Sequence, residues 1–377
     1  MILFLHNRYR SQGGEERAVA DLTWLAREHL GEEVELVERD SSTLGAAAAA
    51  RDLLRGGGDP EVVGAAVRRT GARIVHAHNT NPSFGPRALQ AARAAGAKVV
   101  LHLHNYRLVC AVGTCVDPRG QDCIRCQGRD TRPGVRLGCR GSRPEALVYA
   151  AALARHAASL VETADAIIVP SQSAHNRLLA LSAPLGDTPV HVVGHVVRSL
   201  VAGPPAAPAP PSAPDGFALV VARLAPEKAV DVAIDACARA GVPLVIAGDG
   251  PQRGRLEALA RGLDVRFEGR VDDATLADLR AQAGVAVVTT RAHETFGLAA
   301  LEAMAAGLPT VATALGALAD LAPGAVLVPP DDPAAVAEAI TRVRGNAEAG
   351  RRAQAAAREL AAPELVAPRL AAVYASV

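Results

Sequence analysis

Two carboxylates flank the start of an alanine-rich stretch in the C-terminal third of the chain. Glu294 and Glu302 stand eight residues apart in RAHETFGLAALEAMAAG, residues 291–307. On one continuous helix, at about 100° per residue, their side chains would point roughly 80° apart and share no face. If the helix begins near Gly297 instead, Glu294 lies in the preceding loop and Glu302 on the second turn. Both carboxylates can then approach the helix N-terminus, whose free N–H groups favour a phosphate.

Three more loops, each after an apolar run, carry residues suited to anion or sugar chemistry. Gly13 and Gly14 precede a helix in HNRYRSQGGEER and let the backbone approach an anion. His104 in LHLHNYR stands at a strand end, where a site role competes with that of a core histidine. Arg223 and Lys228 in VARLAPEK either clamp a diphosphate or form ordinary surface ion pairs.

Short apolar runs alternate with amphipathic stretches along the whole chain, which predicts parallel α/β sheets. The stretch 201–216 carries six prolines and predicts an extended linker. We therefore expect a first doubly wound domain over 1–200, a second over 217–362, and a last helix over 363–377 that packs back on the first. Ligands of such sheets bind beyond the carboxyl ends of the strands. The loop AGDGPQRG around Gly248 is equally typical of a turn and of a nucleotide-lining loop, and no G-x-G-x-x-G supports NAD binding.

Composition excludes several classes of function. Lys plus Arg total 40 against 39 Asp plus Glu, and aromatic residues make up 3% of the chain, so we expect no nucleic-acid binding. No stretch of about 18 apolar residues lacks a charge, so we expect no transmembrane helix. The N-terminal apolar run is too short for a signal peptide, and we expect a cytoplasmic protein. The sequence leaves the oligomeric state open.

The motifs GGEER, LHLHNYR, VARLAPEKAVD, IAGDGP, FEGRVDD and HETFGLAALEAMAAGLPTVAT, in this order over nearly the whole chain, resemble glycosyltransferase family four. The resemblance implies a GT-B fold, with two Rossmann-like domains facing across a cleft, and a retaining enzyme that uses a nucleotide-diphosphate sugar. It implies that Glu294 binds sugar hydroxyls, Glu302 the ribose, and Arg223 and Lys228 the diphosphate. Further donor contacts are implied for Gly13, Gly14, Gly248, Val271, Asp273, Thr295, Phe296, Gly297 and Leu298, and His104 is implied beside the transferring sugar.

The leaving group can be stabilised without a metal. The sequence has no Asp-x-Asp motif, so we expect no catalytic metal, with Arg223, Lys228 and the helix dipole balancing the diphosphate charge. The family often has glycine where Ala222 and Ala229 stand, and we expect a slightly altered backbone there. The family's Asn-Gly turn before the linker is VVGHVVR in this chain, which changes the expected hinge.

An insert rich in cysteine and arginine follows the His104 loop, over 110–143. Cys110, Cys123, Cys126 and Cys139 have the spacing C-x12-C-x2-C-x12-C, which is suited to a structural zinc. Reduced thiols and redox chemistry are the alternatives. The insert's seven arginines and three aspartates are typical of a solvated loop, an acceptor rim for a phosphate-bearing substrate, or a patch that touches an anionic membrane.

The sequence therefore predicts a glycosyltransferase that acts on a small-molecule or lipid-linked acceptor, in envelope-glycan or secondary-metabolite (antibiotic) biosynthesis. Peripheral contact with the inner membrane face is compatible with this role. The alternatives are a nucleotide-sugar epimerase or hydrolase on the same fold, and a non-catalytic sugar-nucleotide-binding module.

Overall fold

The chain forms two compact units. The computed structural model describes residues 1–9, 13–200 and 215–377. One unit comprises Met1–Val196 with Val366–Val377, and the other comprises Val197–Leu365. Of the predicted linker at 201–216, positions 201–214 lie outside the described residues.

The first unit is built on a parallel sheet of order β2-β1-β3-β4-β5-β6. Its inner strands are continuous apolar runs because helices cover both faces of a parallel sheet. The C-terminal helix α14 belongs mostly to this unit, where Val366, Leu370 and Val373 join the core beside β1. Its described elements are β1 (Ile2–Arg8), α1 (Gly14–Glu28), β2 (Val34–Asp40), α2 (Ala46–Arg55), α3 (Glu61–Thr70), β3 (Ile74–Ala77), α4 (Gly85–Ala94), β4 (Lys98–His102), α5 (Arg132–Arg136), α6 (Arg143–Glu162), β5 (Ala166–Val169), α7 (Gln172–Ala180), β6 (Val190–Val192) and α14 (Pro363–Ala375).

The second unit repeats this architecture with the order β12-β11-β10-β7-β8-β9. Its core packs the strands against α8, α11, α12 and α13. Its described elements are β7 (Ala218–Val221), α8 (Val230–Ala240), β8 (Leu244–Ala247), α9 (Arg253–Leu259), β9 (Val265–Gly269), α10 (Asp273–Gln282), β10 (Val285–Val288), α11 (Leu298–Ala305), β11 (Thr310–Thr313), β12 (Ala325–Val328), α12 (Pro333–Val343) and α13 (Ala347–Ala361).

Each sheet contains a point where the strand order reverses, and these points decide where ligands can bind. In the first unit the reversal falls between β1 and β3, and in the second between β7 and β10. Within each sheet, the two loops that follow this pair of strands lie next to each other at the carboxyl edge. The predicted class, two parallel-sheet α/β domains, is confirmed.

Candidate functional site

In the second unit, Lys228 and Glu294 meet at the reversal point of the sheet. Lys228 ends the turn after β7, and Glu294 lies in the loop after β10. The Lys228 Nζ donates to Glu294 Oε1 at 2.5 Å, and the Thr290 hydroxyl lies 3.4 Å from the same oxygen. The two side chains are half-buried, with 29% and 19% of their surface exposed. The structure therefore places a cation and a carboxylate where sheets of this type bind ligands.

The backbone of Glu294 is fixed by Gly316. The Ala317 N–H donates to the Glu294 carbonyl at 2.9 Å. Gly316 has φ +62°, and a Cβ there would lie 2.6 Å from the Glu294 nitrogen. Only glycine allows this close approach. The loop that carries Glu294 is therefore held in place by the backbone of Gly316 and Ala317.

Helix α11 begins where the sequence predicted. Gly297 precedes Leu298 in the left-handed conformation, with φ +82°, and its carbonyl accepts from the N–H groups of Ala300 and Leu301. A Cβ at Gly297 would lie 2.5 Å from Leu318 Cδ2. The first N–H groups of the helix have no carbonyl of their own helix to donate to, so this end suits an anion. Thr295 and Phe296 lie in the turn directly before it.

Glu302 projects from the second turn of α11 toward α10. The Arg280 guanidinium donates to Glu302 Oε2 at 2.6 Å, and both side chains are largely buried. The structure thus adds Arg280, which the sequence patterns did not single out, because nothing in a local motif links α10 to α11. Val271 lies in the loop before α10, and Asp273 is the first residue of that helix.

Arg223 and Gly248, also predicted at the carboxyl edge of this sheet, each make a contact within the second unit. Arg223 donates to Glu227, so this cation is paired within its own turn. Gly248 has φ +144°, and a Cβ there would lie 1.9 Å from the Ala222 carbonyl oxygen. Close backbone packing is therefore sufficient reason for glycine at 248.

In the first unit, Gly13 and Gly14 begin α1 at the end of β1. The Gly13 N–H donates to Glu16 Oε2 at 2.7 Å, which caps the helix. Among the described residues, nothing lies within 4 Å of where a Cβ at Gly14 would stand, so packing against them does not require glycine there.

His104 belongs to a group of stacked, buried histidines. Its Nε2 lies 2.7 Å from His78 Nδ1, and its ring stacks on His102 at 4.2 Å between centroids. Burial, followed by the nearby His195, His6 and His76, lowers the pKa of His104 well below its ordinary value. His104 is therefore neutral at physiological pH, and in its bond to His78 one ring nitrogen donates and the other accepts.

A small cavity beside His104 adds two polar residues that the sequence did not indicate, Glu15 and His78. It is lined by Glu15, His78, His104, Asn105 and Arg107, among others. The Asn105 amide donates to Glu15 Oε2 at 3.2 Å. Burial raises the pKa of Glu15. The only sequence signal for Glu15 was its place after the glycine pair.

Two sets of possible metal ligands lie in the described part of the chain. The histidine triads His76–His78–His102 and His102–His104–His195 bring their donor nitrogens within 4.8 Å of one another. The predicted zinc ligands Cys110, Cys123, Cys126 and Cys139 line a common cavity together with Cys115. No three of these sulfur atoms fall within the same 4.8 Å limit in the described residues.

Part of the chain resembles known proteins in sequence. Residues 216–346 match the family model described as glycosyl transferases group 1. A GDP-mannose-dependent alpha-(1-6)-phosphatidylinositol dimannoside mannosyltransferase of Mycobacterium tuberculosis is 43% identical over 137 residues, 34% of this chain and 36% of the relative. A glycogen synthase of the same species is 35% identical over 212 residues, 53% of this chain and 50% of the relative. The chain thus matches about a third to a half of the length of these curated relatives.

Solved structures resemble the chain over nearly its whole length. Sucrose-phosphate synthase from Thermosynechococcus elongatus has a TM-score of 0.72 at 20% identity, covering 99% of this chain and 98% of the other. Anabaena HepE in complex with UDP-glucose has a TM-score of 0.63 at 20% identity, covering 100% and 99%. At such identities these likenesses bear on the fold alone.

The fold is that of the GT-B glycosyltransferases, two parallel-sheet α/β domains. The second unit carries a glycosyl transferases group 1 domain, and the resemblance to glycosyltransferase family four is confirmed there. Within the described residues, no helix is both long and apolar enough to span a membrane.

Proposed function

We propose that this protein transfers a sugar from a nucleotide-diphosphate sugar to an acceptor hydroxyl, with retention of anomeric configuration. One observation carries the proposal: the Lys228–Glu294 pair lies at the sheet reversal point, and Glu294 stands in the loop that leads to the N-terminus of α11. A cation and N–H groups suit the diphosphate, while a carboxylate suits sugar hydroxyls.

Lys228 and Arg223 would bind the donor diphosphate. Each is paired with a carboxylate, Glu294 and Glu227 respectively, so donor binding would exchange one anion for another. The N–H groups at Gly297 and Leu298, following Thr295 and Phe296, would complete the phosphate site. These positive groups would stabilise the leaving diphosphate electrostatically, without a divalent metal.

Glu294 and Glu302 would bind different parts of the donor. Freed from Lys228, Glu294 would accept hydrogen bonds from the sugar hydroxyls. Glu302 would accept from the ribose, and Arg280 would hold its carboxylate in place at 2.6 Å. Gly248 and the segment from Val271 to Asp273 would line the nucleoside.

The first unit would contribute Gly13, Gly14 and His104 to the reaction. Because His104 is neutral and bonded to His78, it would act as a fixed polar group beside the sugar rather than as a charge. The acceptor would attack on the face from which the phosphate leaves, and that phosphate would take its proton. Acceptor recognition would fall to this unit, including the arginine-rich insert.

One curated relative supports a proposal for the donor and the acceptor. The mycobacterial enzyme is named for GDP-mannose and a phosphatidylinositol mannoside. We propose a comparable envelope-glycan step with a lipid-linked acceptor at the inner face of the membrane. Secondary-metabolite glycosylation is the alternative acceptor chemistry.

The test is turnover of nucleotide sugar by Glu294→Gln, which removes the charge and keeps the shape of the side chain. We expect at least a hundredfold loss of nucleoside-diphosphate release in the presence of an acceptor extract. The matched control is Glu268→Gln, which breaks an ion pair with Arg266 on β9 of the same unit, and it should keep wild-type turnover. Unchanged turnover in Glu294→Gln would refute the proposal, and turnover without acceptor would indicate a hydrolase or epimerase.

A further inference from the structure

The glycosyl-transfer proposal leaves the cysteines unexplained. The chain has six, all reduced. Cys237 packs in the core of the second unit. The other five line one cavity of the first unit, together with apolar neighbours: Cys110, Cys115, Cys123, Cys126 and Cys139. Such convergence of thiols from a stretch of about thirty residues points to a common ligand.

The part of the insert that carries Cys123, Cys126 and Cys139 has no apolar core of its own. From Pro118 to Ser142 no apolar side chain is buried, and Ile124 and Leu137 are 56% and 37% exposed. Its regular structure consists of the five-residue helix α5 and isolated bridges at Val116–Asp122 and Gln127–Asp130. A segment that buries so little apolar surface requires a cross-link to hold one conformation.

Helix α5 lies between two of the cysteines. Cys126 precedes this helix and Cys139 follows it, and both line the cavity beside Gly134 of the helix. A Cβ at Gly134 would lie 3.8 Å from the Cys126 sulfur, so the helix backbone packs directly against this thiol.

We propose that Cys110, Cys123, Cys126 and Cys139 bind one structural Zn²⁺, and that Cys115, which is buried in the apolar core of the first unit, is not a ligand. Four thiolates with one Cys-x2-Cys step form a closed tetrahedral site of the kind zinc occupies. Binding would release the four thiol protons and draw the sulfurs to about 3.8 Å from one another. Cys110 and Cys126 pack against the apolar core of the first unit, whereas Cys123 and Cys139 do not, so the contraction would move the latter two toward the former.

The histidine triads are the competing site for a divalent metal. They lie in the packed interior, and their nitrogens already bond to one another and to Tyr374, as in the 2.7 Å contact between His76 Nδ1 and the Tyr374 hydroxyl. A metal there would have to break these bonds. The zinc inference does not depend on the transfer reaction.

The first experiment uses the full wild-type chain, purified after growth with zinc and then desalted. We expect one zinc per chain by elemental analysis, and its release on titration with a mercurial that caps thiols. Reconstitution with Co²⁺ identifies the ligands, because thiolate coordination gives an intense sulfur-to-cobalt charge-transfer band that histidine coordination lacks. A chain with less than a tenth of an equivalent of zinc after reconstitution, or cobalt bound without this band, would overturn the proposal.

Single variants then separate ligands from neighbours. Cys126→Ser should lose at least nine-tenths of the bound zinc, whereas Cys115→Ser and Cys237→Ala should each retain one equivalent. If Cys126→Ser retains its zinc, the assigned ligand set is wrong. If that variant does not fold, the mercurial and cobalt measurements on the wild-type chain still decide.

Discussion

The substitution Gly297→Ala, which adds one methyl group, tests whether stability and nucleotide-sugar binding require the N-terminus of α11 at its present position. At φ +82° an alanine costs about 1–2 kcal/mol for the left-handed conformation. Its Cβ would lie 2.5 Å from Leu318 Cδ2, which adds about 1–3 kcal/mol of overpacking. We therefore expect Gly297→Ala to lower the free energy of unfolding of the second unit by about 2–5 kcal/mol.

A matched control separates the two contributions. Gly262 has φ +80°, but a Cβ there would meet no atom of the described part of the chain within 4 Å. Gly262→Ala should lose only the conformational part, about 1–2 kcal/mol. The unfolding of the second unit is followed by calorimetry. Fluorescence reports the first unit alone, because Trp24 and every tyrosine lie there.

Gly297→Ala and Gly262→Ala should also differ in nucleotide-sugar binding. Gly297→Ala displaces α11 and should weaken binding at least tenfold, about 1.4 kcal/mol, whereas Gly262→Ala should bind as the wild type does. The double variant Gly297→Ala with Leu318→Ala should recover part of the binding loss, because it makes room for the methyl group. It should not recover stability, because truncating the fully buried Leu318 itself costs about 2–5 kcal/mol. Equal stability of the two single variants together with wild-type binding would refute the reasoning.

Three further outcomes are expected. Gly248→Ala should destabilise the second unit by about 3 kcal/mol or more, since its Cβ would lie 1.9 Å from the Ala222 carbonyl oxygen, while Gly254→Ala, with open space around it, serves as the calorimetric control. Burial lowers the pKa of His195 to about 4, so between pH 6.5 and pH 4 the unfolded state binds more protons than the folded state. The free energy of unfolding of the first unit should therefore fall by about 1.4 kcal/mol per pH unit for each such histidine as the pH is lowered through this range. Trp24 fluorescence follows this unfolding, and a stability that does not change with pH would contradict the prediction. Glu302→Gln should abolish the preference of the protein for a ribonucleoside diphosphate over the 2′-deoxynucleoside diphosphate in calorimetric titrations. An intact preference would exclude the proposal that Glu302 binds the ribose.

The sequence predicted the sheets well because each inner strand is a continuous apolar run between helices. It also predicted the start of α11, since Gly297 precedes an alanine-rich stretch that cannot be a strand. These features depend on local patterns of residue type. The carboxyl-edge loops followed from the alternation of strands and helices alone.

Long-range pairs were beyond such patterns. The bonds from Arg280 to Glu302 and from His78 to His104 join residues 22 and 26 positions apart, and no local motif connects them. Ala229 is a further example: it adopts φ +47° as alanine, at a position where the resembling family often has glycine. Its buried methyl group, in the core beside α8, explains how an alanine is accommodated there.

The most direct test of the central claim is binding of nucleotide sugars to the purified chain. A thermal-shift screen against UDP-, GDP-, dTDP- and ADP-sugars, with and without chelator, requires no acceptor. One donor class should stabilise the protein, by about 2.7 kcal/mol at a hundred times its Kd, and Lys228→Met should lose most of that shift. If no nucleotide sugar stabilises the wild-type chain, the assignment of the Lys228–Glu294 site as a donor site is wrong.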